Sequence, residues 1–104
     1  MRKKRKARHS LAEIRTAFAD PARLNRTMSA AEGAEDLGMD EQAVVDVIAG
    51  LTARDFEKSM PSNVDRRDWQ DVYKPIVERR ELYVKFTLDA KGEFLLISFK
   101  GNDP

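Results

Sequence analysis

Glu81-Leu82-Tyr83-Val84-Lys85-Phe86-Thr87-Leu88 alternates polar and apolar side chains without a break. A strand points successive side chains to opposite faces. Leu82, Val84, Phe86 and Leu88 are therefore predicted to meet a core, while Glu81, Tyr83, Lys85 and Thr87 share the other face. That face carries a phenol and an amine, so it is a candidate working surface. Asp89-Ala90-Lys91-Gly92 reads as a tight hairpin turn, and Glu93 to Lys100 as a mostly apolar, central strand. Gly101 to Pro104 is expected to fray.

Working back toward the N-terminus, Trp69 to Val77 is predicted as a strand whose far end Pro75 confines to an edge or a bulge. Phe56 to Met60 is another, stopped by Pro61, with a polar loop over 61–68 between them. Before Phe56 the apolar period lengthens. Val44, Val47, Ile48 and Leu51 recur at spacings of three and four, which predicts a helix opened by Asp40 and ended by Gly50. Ser10 with Glu13 has capping-box spacing and starts a helix that Pro21 ends, with Leu11, Ile14 and Phe18 near one face. Ala22 to Met28 is expected to run extended. Ser29 with Glu32 repeats the capping spacing before a short helix stopped at Gly38, and Thr52 caps a last turn ending at Asp55. Helices followed by antiparallel strands imply an α+β fold, with the helices packed on one face of the sheet.

A chain of 104 residues buries one core, so the expected organisation is a basic flexible tail over 1–9 and a single domain over 10–104. Arg2, Lys3, Lys4, Arg5, Lys6 and Arg8 supply six of the 19 basic residues, which leaves the remainder acidic. Such a tail can reach for nucleic-acid phosphates, or it can simply keep the chain soluble. With no cysteine, disulfides, thiolate nucleophiles and Cys-ligated zinc are excluded and a reducing compartment is implied. No apolar run approaches the ~18 residues of a membrane helix, and the segment after the basic start is amphipathic, so a cytoplasmic location is expected. Asp65, Asp68 and Asp71 lack the spacing of a metal site and read as solvated charge.

Four polar side chains lie in or beside the predicted strands: Lys58, Gln70, Tyr83 and Lys100. RNA can be cleaved when its own 2′-hydroxyl attacks the adjacent phosphate. A protein assisting that reaction must help deprotonation, stabilise the phosphorane charge and protonate the leaving 5′-oxygen. Lysines answer the second need and a tyrosine the first or third, provided the groups converge. Spacing alone leaves the alternative open, in which these are surface lysines, a sheet-packing tyrosine and an amide serving the backbone.

The blocks Asp46-Val-Ile-Ala-Gly-Leu-Thr-Ala-Arg-Asp-Phe-Glu-Lys-Ser-Met60, Trp69-Gln-Asp-Val-Tyr-Lys-Pro75, Leu82-Tyr-Val-Lys-Phe86 and Leu95-Leu-Ile-Ser-Phe-Lys100 together resemble the MqsR family of bacterial toxins. The resemblance implies a RelE-like fold and a metal-independent mRNA endoribonuclease. It further implies a preference for GC-containing triplets, inhibition of translation and growth, and no cofactor. The family's functional residues fall on Lys58 and Lys100 for phosphate binding and transition-state charge, Tyr83 for proton transfer, and Gln70 for positioning. Lys85, on the Tyr83 face, is expected to add an RNA contact, and the tail residues Arg2, Lys3, Lys4, Arg5 and Lys6 are expected to add long-range attraction. The implied partners are single-stranded mRNA and a cognate MqsA-like antitoxin that itself carries a zinc-binding domain and a helix-turn-helix. The N-terminal basic run is longer than the family's usual start. A non-catalytic RNA-binding or translation-associated module is the alternative reading of the same surface.

Overall fold

The structure, a computed structural model, describes residues 6–61 and 69–102. Three helices, α1 (Leu11–Ala17), α2 (Met28–Asp36) and α3 (Glu41–Ala49), precede five strands: β1 (Phe56–Pro61), β2 (Trp69–Tyr73), β3 (Ile76–Val77), β4 (Arg80–Leu88) and β5 (Phe94–Gly101). This is the expected α+β order. Among the described residues no helix is long and apolar enough to cross a membrane.

The helix starts follow their caps. Ser10 Oγ accepts the Glu13 N–H at the head of α1, and Asp40 Oδ1 accepts the Ala43 N–H at 2.9 Å at the head of α3. Ile14 and Phe18 from the first segment, and Val44, Ile48 and Leu51 from the second, are fully buried. Arg15 joins the two by donating to the Leu51 carbonyl. Helix α2 departs from expectation, because its N-cap is Thr27 and not Ser29. Thr27 Oγ1 accepts the Ala30 N–H at 3.1 Å while its own N–H donates to the Leu96 carbonyl of β5, also at 3.1 Å. Pairing with the sheet therefore fixes the helix start ahead of the site that capping spacing suggests. The stretch before it is extended only in part: Pro21–Arg23 makes a 3₁₀ turn, after which Arg26 forms a parallel bridge with Leu96.

All named strand pairs are antiparallel. The central strand is β4, not the C-terminal one, since β4 pairs with β2 and β3 on one side and β5 on the other. Length decides this: the nine residues of β4 are enough for all three partners. Pro75 splits the predicted Trp69–Val77 strand into β2 and β3 without changing register, as Tyr73↔Val84 is followed by Ile76↔Glu81. Leu82, Val84 and Phe86 are fully buried against the helices, and each contributes about 1.5–3 kcal/mol by leaving water. The C-terminal end is tied down as far as Asn102, whose N–H donates to the Glu81 carbonyl at 2.9 Å.

The β3–β4 turn turns on two non-glycine residues with left-handed backbones, Glu78 (φ 52°) and Arg79 (φ 68°). Both central positions of such a hairpin favour Asn and Gly. The double substitution Glu78→Asn with Arg79→Gly should stabilise the chain by about 1 kcal/mol, read from the denaturation midpoint at unchanged m.

Asp71 is fully buried, contrary to the solvated role expected of it. Its alternation partner Tyr73 is in the core, so both face the helices. The carboxylate accepts Ser59 Oγ at 2.6 Å and the backbone N–H groups of Arg8 and His9 at 3.1 and 2.8 Å. The segment expected as a tail over 1–9 thus has a held end at residues 8 and 9, while 1–5 lie outside the described residues, as do Asp65 and Asp68. Asp71→Asn replaces an acceptor by a donor among three donors and should cost about 2 kcal/mol. Faster hydrogen exchange at the Arg8 and His9 amides would accompany the loss.

Candidate active site on the open face of the sheet

Residues opposite one another in antiparallel strands project from the same face. Lys58 on β1 is opposite Val72 on β2, which is opposite Lys85 on β4, which is opposite Ser98 on β5. One step along, Tyr83 is opposite Lys100, and one step the other way Gln70 is opposite Met60. Alternation joins these rows, so Lys58, Gln70, Tyr83, Lys85 and Lys100 share the face that the helices leave open. With strands about 4.8 Å apart, the Lys58 and Lys85 backbones are about 10 Å apart across Val72, within the reach of two extended amines.

Two irregularities in the ladder create this arrangement. Phe56 pairs with Tyr73 on the core side, and an unbroken alternation would send Lys58 the same way; a register shift at Glu57 turns Lys58 outward. In β5, Leu96 pairs with Phe86 on the core side, and a second shift at Ile97 turns Ser98 and Lys100 outward while Phe99 stays buried. Bulges commonly re-aim a side chain in this manner. Both terminal lysines of the candidate site owe their direction to one.

The electrostatics are those of a cation cluster around a phenol. The Lys100 ammonium is 5.4 Å and the Lys85 ammonium 5.8 Å from the centre of the Tyr83 ring. Burial raises the Tyr83 pKa above the ordinary phenol value, so the ring keeps its proton throughout the neutral range. Lys85 moves the other way. Burial lowers its pKa first, and the like charges of Lys100 and then Lys58 lower it further. At the rim, Glu57 pairs with Lys74 at 3.8 Å.

Gln70 is half-buried, at the end of β2 where the chain re-enters the described residues. The N-terminal segment arrives at that same end. His9 Nε2 is 3.1 Å from the Trp69 carbonyl oxygen, its ring meets Phe94 edge-on, and the Arg8 guanidinium is 5.6 Å from the centre of the Trp69 ring. Lys6 is exposed two residues earlier; Arg2, Lys3, Lys4 and Arg5 are outside the described residues. Sequence reasoning missed the Asp71 clasp that delivers this segment, although the shared parity of Asp71 and Tyr73 in β2 was its available signal.

The model of the family described as "Motility quorum-sensing regulator, toxin of MqsA" matches residues 6–101. The chain belongs to the MqsR toxin family. It is 40% identical over 74 residues to the mRNA interferase toxin MqsR of Escherichia coli (strain K12), an alignment covering 71% of this chain and 74% of that protein. All five open-face residues lie within the span matched by the MqsR model.

Proposed function

We propose that this MqsR-family chain is the toxin of a type II toxin–antitoxin pair and acts in the cytoplasm as a metal-independent endoribonuclease. It cleaves single-stranded mRNA, with a preference for GC-containing triplets, by attack of the 2′-hydroxyl on the neighbouring phosphate. The observation that carries this reading is the placement of two ammonium groups within 6 Å of the Tyr83 ring on the open sheet face. Lys58 and Lys100 bind the phosphate and stabilise the charge that grows on its oxygens. Tyr83, protonated because burial disfavours its anion, donates to the departing 5′-oxygen. Gln70 positions the nucleotide from the adjoining row.

Several findings favour cleavage over RNA binding alone. A sheet that holds single strands by stacking needs several exposed rings, whereas among the described residues the open face carries Tyr83 as its one aromatic side chain. The groups it offers are amines, a phenol and a carboxamide, which suit charge stabilisation and proton transfer. The relative from Escherichia coli carries the name mRNA interferase toxin. The family description names MqsA as the toxin's partner, which supports a cognate antitoxin of that type, the zinc and the helix-turn-helix belonging to the partner.

The test is incubation of the purified protein with a defined mRNA in EDTA, followed by mapping of the new ends. A 2′,3′-cyclic phosphate and a 5′-hydroxyl are expected with wild type and not with Tyr83→Phe. Intact RNA in the wild-type lane would favour the binding module. Removal of residues 1–6 should flatten the salt dependence of RNA binding, by close to one unit of slope per lost phosphate contact, and leave the cleavage site unchanged.

A further inference from the structure

We propose that Lys85 is a catalytic residue, the acceptor of the proton that the attacking 2′-hydroxyl gives up. The assignment rests on the endoribonuclease reading above and adds a role that the other four side chains do not fill. Lys85 is the centre of the open face: Val72 and Ser98 flank it across the ladder, Tyr83 precedes it on the same side of its own strand, Lys58 lies one strand further out on β1, and Lys100 lies on the adjacent β5 opposite Tyr83. A phosphate gripped by the two outer lysines therefore lies over Lys85, and the proton donor Tyr83 is beside it.

The charged groups that act on Lys85 from the neighbouring strands are cations. Lys58 acts from β1 and Lys100 from β5, β2 contributes the neutral Val72 and Gln70, and the rim carboxylate of Glu57 is taken up by Lys74. Burial and these like charges all disfavour its ammonium form, which favours the neutral amine that a base requires. The neutral Nζ lone pair takes the 2′-hydroxyl proton as the O2′–P bond forms, the P–O5′ bond breaks, and O5′ takes the phenolic proton of Tyr83. The ammonium of Lys85 returns a proton to the phenolate through solvent, leaving a 2′,3′-cyclic phosphate and a 5′-hydroxyl with no water consumed.

The kcat/KM rises with pH as Lys85 loses its proton, at a pKa below the usual lysine value, and falls when Tyr83 loses its own above the usual tyrosine value. Arginine keeps the charge and cannot serve as base. Lys85→Arg is expected to bind a 5′-labelled single-stranded RNA spanning the mapped site within about threefold of wild type and to cleave it at least about 100-fold more slowly. Because the chain has no cysteine, Lys85→Cys can be alkylated with 2-bromoethylamine at that position alone. The resulting thioether amine is less basic than lysine, so activity should return with the acidic limb moved to lower pH.

Cleavage by Lys85→Arg within a few fold of wild type would overturn the assignment, as would parallel losses of binding and cleavage. An acidic limb that stays in place after aminoethylation would overturn it too. If wild type itself leaves the RNA whole, the endoribonuclease reading fails and this role fails with it; if wild type cleaves and Lys85→Arg does as well, only the role fails.

Discussion

Lys58→Ala and Lys100→Ala should each slow mRNA cleavage by roughly 10²–10³-fold while leaving the fold intact, the loss that follows removal of one preorganised partner for transition-state charge. Neither side chain supports the core. Lys100 is exposed, and Lys58 projects from the face opposite the helices. In the proposed mechanism each grips a phosphate whose charge grows as the fifth bond to phosphorus forms, so the effect should fall mainly on kcat, with KM changing less. The two substitutions should combine to less than the product of their separate effects, because both act on the same phosphate and both lower the Lys85 pKa. Single-turnover cleavage by the two variants and their double variant measures this directly. A full multiplicative loss would mean that the two lysines serve separate sites.

The second large effect is on stability. Gly33→Ala should destabilise the chain by about 3 kcal/mol or more, although alanine is ordinarily the better helix former by about 1 kcal/mol. Gly33 is inside α2, on the side that carries the buried Ala30 and Ala34. A methyl group there would overlap the Phe99 carbonyl oxygen, and would also come within 3.1 Å of the Phe99 carbonyl carbon and 3.3 Å of Lys100 Cβ. The obstacle is strand backbone, which cannot rotate aside as a side-chain tip can, so helix and strand must separate. Denaturant titration reads the lost stability. Since the strand that would shift carries Lys100, cleavage below the transition should fall as well. Gly50→Ala is the control: its added methyl would meet nothing closer than 3.4 Å, and it should leave both nearly unchanged.

Much of this arrangement could be read from the chain before its coordinates. The alternation of Glu81 to Leu88 separates a buried set from a polar set, and the structure buries Leu82, Val84 and Phe86 as that alternation requires. The stripe of Val44, Val47, Ile48 and Leu51 and the stop at Gly38 are equally local signals, and both hold. What local signals do not carry is the direction of Lys58 and Lys100. Phe56 and Ser59, like Leu96 and Phe99, are three apart yet face the same core, which a regular strand forbids and a bulge allows. The start of α2 at Thr27, the centrality of β4 and the burial of Asp71 are likewise products of long-range pairing, with Leu96, with three strands at once, and with the amides of Arg8 and His9. Proximity of the lysines to Tyr83 was therefore a prediction of chemistry and resemblance, and no periodicity contained it.

The proposed placement of RNA is across the open face, with its scissile phosphate among Lys58, Tyr83, Lys85 and Lys100. It is tested most directly by methyl NMR of the wild-type chain, titrated with an RNA made uncleavable by a single 2′-deoxy substitution at the mapped site. Val72 lies in the middle of that face, while Val44 and Val47 report from α3 behind the sheet. The Val72 methyls should shift on titration, and those of Val44 and Val47 should not. Shifts confined to the α3 valines, with Val72 unmoved at saturation, would contradict it.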